Sequence, residues 1–368
     1  MIPLYKVHMP KNIAQVLEPV LLSGFVSEGP RAKKFELEFQ RYIGNPNTAL
    51  VNSGTSALTL ALRLVGVGPG TSVISTPMTC LATNTAVLSL GGDITWCDID
   101  PVSGNMDADK IEQLITPKTK AILFVDWGGT PAELDKINAV ANKYGLKTIE
   151  DAAQALGSSF DGIGVGNKCD FSCFSFQAIK HLTTCDGGAL ACRTREDYDR
   201  AILLRWFGLS RSHNKKSPVC WEGDVPEHGY KMHMNDVNAT IGLEQLKYVD
   251  NIIDTHKRNG KFLLENLKDV PGIEVYDMPD YIDSSYWFFT IKLDSSTHRA
   301  QVCEKLAARG ISSAITHTRN DAYSLFNKYG THLPGVDDFD SRKLNIPCGW
   351  WCSQKDMEYI VDTLKKVC

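Results

Sequence analysis

Through the first two thirds of the chain, short apolar and β-branched runs alternate with stretches whose apolar residues recur at helical spacing. That alternation is the pattern of a parallel sheet covered by helices on both faces. Strands are predicted at 49–51, 72–76, 94–97, 121–125, 147–150, 170–176 and 189–192, with helices at 56–64, 80–90, 108–114 and 133–143 between them. After Asn235 the text changes. One long amphipathic helix is predicted to run to Leu267, with Ile241, Leu246, Ile252, Ile253 and Leu264 on its apolar face. Strands at 273–275, 286–293 and 311–316 follow, around a helix at 299–309 and ahead of a C-terminal helix at 353–366. The expectation is an α/β protein, with a large, mostly parallel-sheet domain over 1–245 and a smaller C-terminal α/β domain over 246–368. The segment 210–227, with Lys215 and Lys216, is the most loop-like. Gly162-Ile163-Gly164-Val165-Gly166 has the spacing of a dinucleotide loop, but a strand rather than a helix is predicted after it, so it reads as a hairpin turn.

The 368 residues suit two ordinary cores, and 43% hydrophobic with 22% charged residues excludes disorder. A net charge of −4 gives no basic excess, so neither nucleic acid nor an anionic membrane is an expected partner. Anion binding must then be local. The 11 cysteines do not form paired metal-ligand spacings, since Cys169/Cys173 and Cys348/Cys352 lack a second pair or a nearby histidine. Free thiols in a reducing compartment and no metal are expected. Residues 1–10 lack the build of a secretory signal, and no apolar run approaches the roughly 18 residues of a spanning helix, so the expected location is cytoplasmic.

In open α/β sheets ligands sit beyond the carboxyl ends of the strands. Three such ends carry chemistry. The run Asn52-Ser53-Gly54-Thr55-Ser56-Ala57-Leu58 starts a helix after a strand, which makes either an ordinary N-cap or a phosphate cup of free N–H groups and hydroxyls. Glu150-Asp151-Ala152-Ala153-Gln154 puts a carboxylate at a strand tip, able to stabilise a protonated ring nitrogen, with Asp126 as a rival for that role. Phe174-Ser175-Phe176-Gln177-Ala178-Ile179-Lys180 delivers a lysine from a buried strand, where an amine of lowered pKa can bond to an aldehyde. A phosphate cup, an anion for a pyridinium and an amine for an aldehyde are together the requirements of pyridoxal 5'-phosphate.

These segments, with Lys180-His181-Leu182-Thr183-Thr184, Gly229-Tyr230 through Met234-Asn235-Asp236, and Gly242-Leu243-Glu244-Gln245-Leu246, resemble the DegT/DnrJ/EryC1/StrS sugar aminotransferases along nearly the whole chain. The resemblance implies the aspartate-aminotransferase (type I) fold, pyridoxal phosphate, and a homodimer with active sites at the subunit interface. It makes Lys180 the lysine that joins the cofactor, Asp151 the partner of its ring nitrogen, and Gly54, Thr55 and Ser175 the phosphate binders. Gln154 matches the position that bonds the ring hydroxyl, and Ala153 the small residue beneath the ring. Several positions depart from the family. Cys80 stands where an aromatic residue usually stacks on the ring, Lys231 where an asparagine often reaches the neighbouring subunit's phosphate, His233 where an arginine is usual, and Cys185-Asp186-Gly187-Gly188 where Gly-Glu-Gly-Gly is usual.

The implied reaction is a two-stage transfer in which glutamate gives its amino group and a keto-sugar takes it up, with Lys180 moving the proton. A nucleotide-linked 4-keto-6-deoxyhexose is the expected acceptor, in amino-sugar biosynthesis for lipopolysaccharide O-antigen or another surface glycan. His181, His317, Arg319 and Asn320 are candidate substrate contacts, while Arg31, Lys33 and Lys34 read as the solvated face of a helix. Two alternatives stand beside this reading. Dehydratases of the same family carry histidine at the lysine position, which only a one-residue slip to His181 would allow, and a non-catalytic cofactor-binding regulatory protein would turn nothing over.

Overall fold

The computed structural model of the protein describes residues 1–210, 224–330 and 332–368. Lys215 and Lys216, and most of the predicted loop around them, lie outside the described residues. Nine strands precede residue 193: Thr48–Val51 (β1), Ser72–Ser75 (β2), Asp93–Trp96 (β3), Thr119–Val125 (β4), Lys147–Asp151 (β5), Ser159–Phe160 (β6), Ile163–Gly164 (β7), Phe171–Ser175 (β8) and Gly188–Cys192 (β9). Seven of them form one sheet in the order β1-β9-β8-β5-β4-β2-β3. Strands β3, β2, β4, β5 and β8 are parallel, whereas β9 runs antiparallel to both β8 and β1. The strands β1, β2 and β9 are buried along their whole length, the unbroken apolar pattern of a sheet covered on both faces.

The covering helices are Ile13–Leu22 (α1), Pro30–Ile43 (α2), Gly54–Leu64 (α3), Leu81–Ser89 (α4), Leu134–Tyr144 (α5) and Arg195–Leu204 (α6). Helix α3 buries every residue from Ser56 to Leu64 except Arg63, because it packs against β8 and β9 and against α4 and α6. Ser53 caps it, its hydroxyl accepting from the Ser56 N–H at 3.0 Å. The hairpin β6–β7 contains Gly162, with φ +72, and shows the glycine-rich run to be a turn.

A second core gathers Leu263, Phe289, Ile291, Leu344, Ile360 and Leu364. Helix Asp236–Gln245 (α7) packs on α1 and α2, and the second core lies among the helices Val249–Leu267 (α8), Ser296–Ala308 (α9), Pro334–Arg342 (α10) and Gln354–Val367 (α11), and a sheet of Ile273–Glu274 (β10), Phe289–Leu293 (β12) and Lys343–Ile346 (β13). Ile282–Asp283 (β11) pairs with β6 instead.

The structure differs from the sequence reading in four places. The long helix is two, since the N–H groups of Lys247 and Tyr248 bond three residues back, to Glu244 and Gln245, and the chain turns before α8. The segment 108–114 forms two 3-10 turns. The stretch 311–316 makes only isolated bridges, Ile311 with Ile2 and Ala314 with Asn345. The strand is β13, which the pattern hid because Lys343 and Asn345 are fully buried polar residues, paired with Asp340 and Thr290. Among the described residues no helix is long and apolar enough to cross a membrane.

Candidate active site

Beyond the carboxyl ends of β5 and β8 lies a cavity of about 320 Å³. At one end β8 stops at Ser175 beside the first turn of α3. A Cβ on Gly54 would sit 2.9 Å from the Ser175 Cβ, and one on Gly188 would sit 2.6 Å from the Ser53 carbonyl carbon. Glycine at both positions lets the α3 N-terminus close onto the strand end. The cavity is therefore lined there by Gly54, Thr55 and Ser175, with the unpaired N–H groups of a first helical turn beside hydroxyls.

The Asp151 carboxylate, buried at the tip of β5, forms another wall. Its Oδ2 accepts from the Thr83 hydroxyl at 2.6 Å and its Oδ1 from the Ala153 N–H at 3.2 Å, while the Thr79 and Thr83 hydroxyls bond to each other at 2.8 Å. Burial raises the Asp151 carboxyl above its ordinary value, and the Thr83 and Ala153 donors and the Lys180 charge pull it back. Gln154 is held by its Oε1, which accepts from the Gly128 N–H at 2.8 Å. Both Gln154 and Ala153 line the cavity.

Lys180 lies between these walls. Burial lowers its amine to about 8, against the pull of Asp151 and Cys80, so a useful fraction is neutral near physiological pH. Its Nζ stands 3.5 Å from the centroid of the Trp287 ring. Cys80 borders the cavity just before α4, and burial raises its thiol. His317 borders it too; burial pushes its ring down to about 4, and its Nε2 has no partner among the described residues.

The other candidates lie elsewhere. His181 turns from the cavity, with its Nε2 3.1 Å from the Ser285 carbonyl and its ring edge-on to His256 at 4.6 Å. Arg319 is clamped by Asp321 and Asp337. Asn320 is fully buried and ties two loops together: its N–H donates to the Pro77 carbonyl, its Nδ2 to the Thr79 carbonyl, and its Oδ1 accepts from Asn84. Lys231 is exposed, on a backbone bridge to Trp206, and His233 packs edge-on to Trp206 at 4.4 Å. Asp126 is buried behind the site, where its Oδ1 accepts from the Ala132 N–H. Arg31, Lys33 and Lys34 lie on α2, which buries Ala32, Phe35 and Phe39 instead.

Thr79, Thr83 and Trp287 escaped the sequence reading. Two threonines four apart at a helix start carry a weak signal; an indole from a distant strand segment carries none. The residues present fit pyridoxal phosphate: a hydroxyl-lined cup, a buried carboxylate for a ring nitrogen, and a desolvated amine share one cavity.

Comparison with known proteins agrees with this geometry. Residues 8–365 match the DegT/DnrJ/EryC1/StrS aminotransferase family. The UDP-4-amino-4,6-dideoxy-N-acetyl-beta-L-altrosamine transaminase of Campylobacter jejuni is 30% identical, over 96% of this chain and 93% of its own. The crystal structure of sugar aminotransferase CalS13 from Micromonospora echinospora superposes with a TM-score of 0.95 at 34% identity, covering 100% of both chains. Spr1654 from Streptococcus pneumoniae, solved in a PLP-form, is 26% identical with a TM-score of 0.91, covering 100% of this chain and 98% of its own. On these matches the chain belongs to the DegT/DnrJ/EryC1/StrS aminotransferase family and is a transaminase that works with pyridoxal phosphate.

Proposed function

We propose that the protein moves the amino group of glutamate onto a nucleotide-linked 4-keto-6-deoxyhexose, as a cytoplasmic homodimer supplying an amino sugar for a surface glycan. The observation that carries the reading is the placement of Lys180 and Asp151 in one cavity with the α3 cup. Bound there, pyridoxal phosphate supplies a ring that withdraws electrons from the carbon losing its proton. Asp151 keeps a proton on the ring nitrogen, since a buried anion favours the charged form of its partner. Gly54, Thr55 and Ser175 bind the phosphate, and Gln154 orients the ring by donating to its hydroxyl. The Lys180 Nζ takes a proton from the substrate carbon and returns it to the cofactor carbon, a task suited to an amine poised near 8.

His317, with its unpartnered Nε2 at the cavity wall, is the substrate contact this reading favours. The transaminase of C. jejuni and CalS13 support a sugar acceptor by their names. Support for the dimer comes from exposed Leu22 and Phe25, apolar area that a partner would cover, and from exposed Lys231, free to reach a neighbouring phosphate. A dehydratase would need histidine where Lys180 stands, and His181 is bonded to Ser285 instead.

The test is a screen of UDP-, dTDP- and GDP-linked keto-sugars with glutamate, read as amino-sugar product and 2-oxoglutarate. Lys180→Ala should abolish both while the fold persists. A protein that binds the cofactor yet releases no 2-oxoglutarate from glutamate would overturn the reading in favour of a regulatory role.

A further inference from the structure

The Lys180 amine rests on an indole. Its Nζ is 3.5 Å from the Trp287 ring centroid, well inside the distance of about 6 Å at which a cation and a ring face attract. Trp287 is only 3% exposed, so water screens this contact little. The ring is also fixed in place. Its Nε1 donates to the carbonyl of Ile179 at 2.9 Å, its own N–H donates to the Gly128 carbonyl at 2.8 Å, and Tyr5 stacks on it at 5.0 Å. Tyr5 is anchored in turn through its hydroxyl to Thr316 at 3.0 Å. An aromatic held by the residue next to the lysine, and by two other segments of the chain, is a rigid seat for one amine.

We propose that Trp287 is a positioning residue for Lys180, its ring face fixing the direction of the free amine and stabilising the ammonium that forms once that amine has taken up a proton. The proposal rests on the reading of Lys180 as the proton-carrying lysine, and deepens it. An amine released into a cavity of this size could point several ways, and the indole selects one. The ring face also opposes desolvation: burial favours the neutral amine, and the indole favours the charged one. The other titratable groups around Lys180 are Asp151 on β5, Cys80 before α4, His317 beside Trp287, neighbouring His181, and Asp186 in the loop that follows. Of these, His317 stacks on the Trp287 ring at 6.3 Å, so Trp287→Phe, which keeps a ring there, serves as the control for its displacement.

The test uses apoenzyme, so that the amine is free. The rate at which a small neutral acylating reagent labels Lys180, read by peptide mass spectrometry across pH, gives the midpoint of its ionisation. Trp287→Leu keeps the site apolar and removes the ring face, and should lower the midpoint by about one unit, a tenfold change in ionisation. Trp287→Phe keeps a ring face and should recover most of that shift. A midpoint in Trp287→Leu equal to or above that of the unmutated protein would overturn the proposal, as would an equal fall in both variants. A second measurement needs no change at Trp287: the tryptophan fluorescence of the apoenzyme should titrate with Lys180 and lose that transition in Lys180→Met. If the transition survives in Lys180→Met, the contact is absent. Failure of the aminotransferase reading looks different, because the unmutated holoenzyme would then release no 2-oxoglutarate from glutamate while the Lys180 midpoint of the apoenzyme still moved with residue 287.

Discussion

Behind the site, Asp126 and Glu150 are both buried, at 0% and 1% exposure, and each has one carboxyl oxygen, Oδ2 and Oε1, without a donor. Two adjacent buried carboxylates cannot both ionise, and a single proton between them supplies the missing donor. Burial first, and then Glu150, pushes the Asp126 carboxyl well above its ordinary value; burial raises Glu150 as well, partly offset by the Ser172 hydroxyl. Asp126→Asn tests this. The amide oxygen keeps the bond from the Ala132 N–H, now 3.0 Å, and the amide NH2 gives Glu150 a permanent donor. In the unmutated protein the folded state holds a proton that the unfolded chain releases above about pH 4, so its stability falls as pH rises through that window. The variant has no proton to hold at residue 126. The two proteins should therefore be about equally stable near pH 4, with the variant drawing ahead by about 1.4 kcal/mol for each pH unit above that over which the folded parent keeps its proton. Guanidinium unfolding at fixed protein and cofactor concentration, repeated across pH, measures the difference. A variant less stable than its parent at pH 8, or a difference that does not change with pH, would refute the shared proton.

Three further outcomes follow from the site. Thr83→Val removes the 2.6 Å donor to Asp151, so cofactor affinity should fall at least tenfold by equilibrium dialysis, and unchanged affinity would separate the threonine from the ring-nitrogen carboxylate. Gly54→Ala drives a methyl to 2.9 Å from the Ser175 Cβ, and the shifted helix start should cost about 1–3 kcal/mol of stability and weaken phosphate binding; a variant that binds pyridoxal phosphate normally would show the cup to be elsewhere. Alkylation at neutral pH should mark exposed Cys185 well before Cys80, whose thiol is raised by burial, and peptide mapping that finds Cys80 labelled first would contradict its described environment.

The parallel sheet was legible because a strand buried on both faces leaves an unbroken apolar run, and the site because ligands in such sheets collect at the carboxyl ends. Asp151 stands one residue past its predicted strand and Lys180 four past its own, where local sequence is enough to find them. What stayed hidden depends on partners far along the chain. Lys343 and Asn345 read as solvated until Asp340 and Thr290 satisfy them inside a sheet. His181 and Asn320 have the polarity of cleft residues, yet their hydrogen bonds go to Ser285, Pro77, Thr79 and Asn84. Trp287 looks like one more apolar residue in its segment, and only the fold sets it against Lys180.

The buried Asn320 amide is a tie between two loops at the cavity. It joins the loop bearing His317 to the loop bearing Thr79, and Thr79 leads through Thr83 to Asp151. Swinging the His317 loop outward would break the bonds to Pro77, Thr79 and Asn84 together, at about 1–3 kcal/mol for each buried group left alone. The loop bearing His317 and the threonine support of Asp151 are therefore tied into one piece. Displacing the His317 loop would also disturb the threonine pair that supports the Asp151 carboxylate.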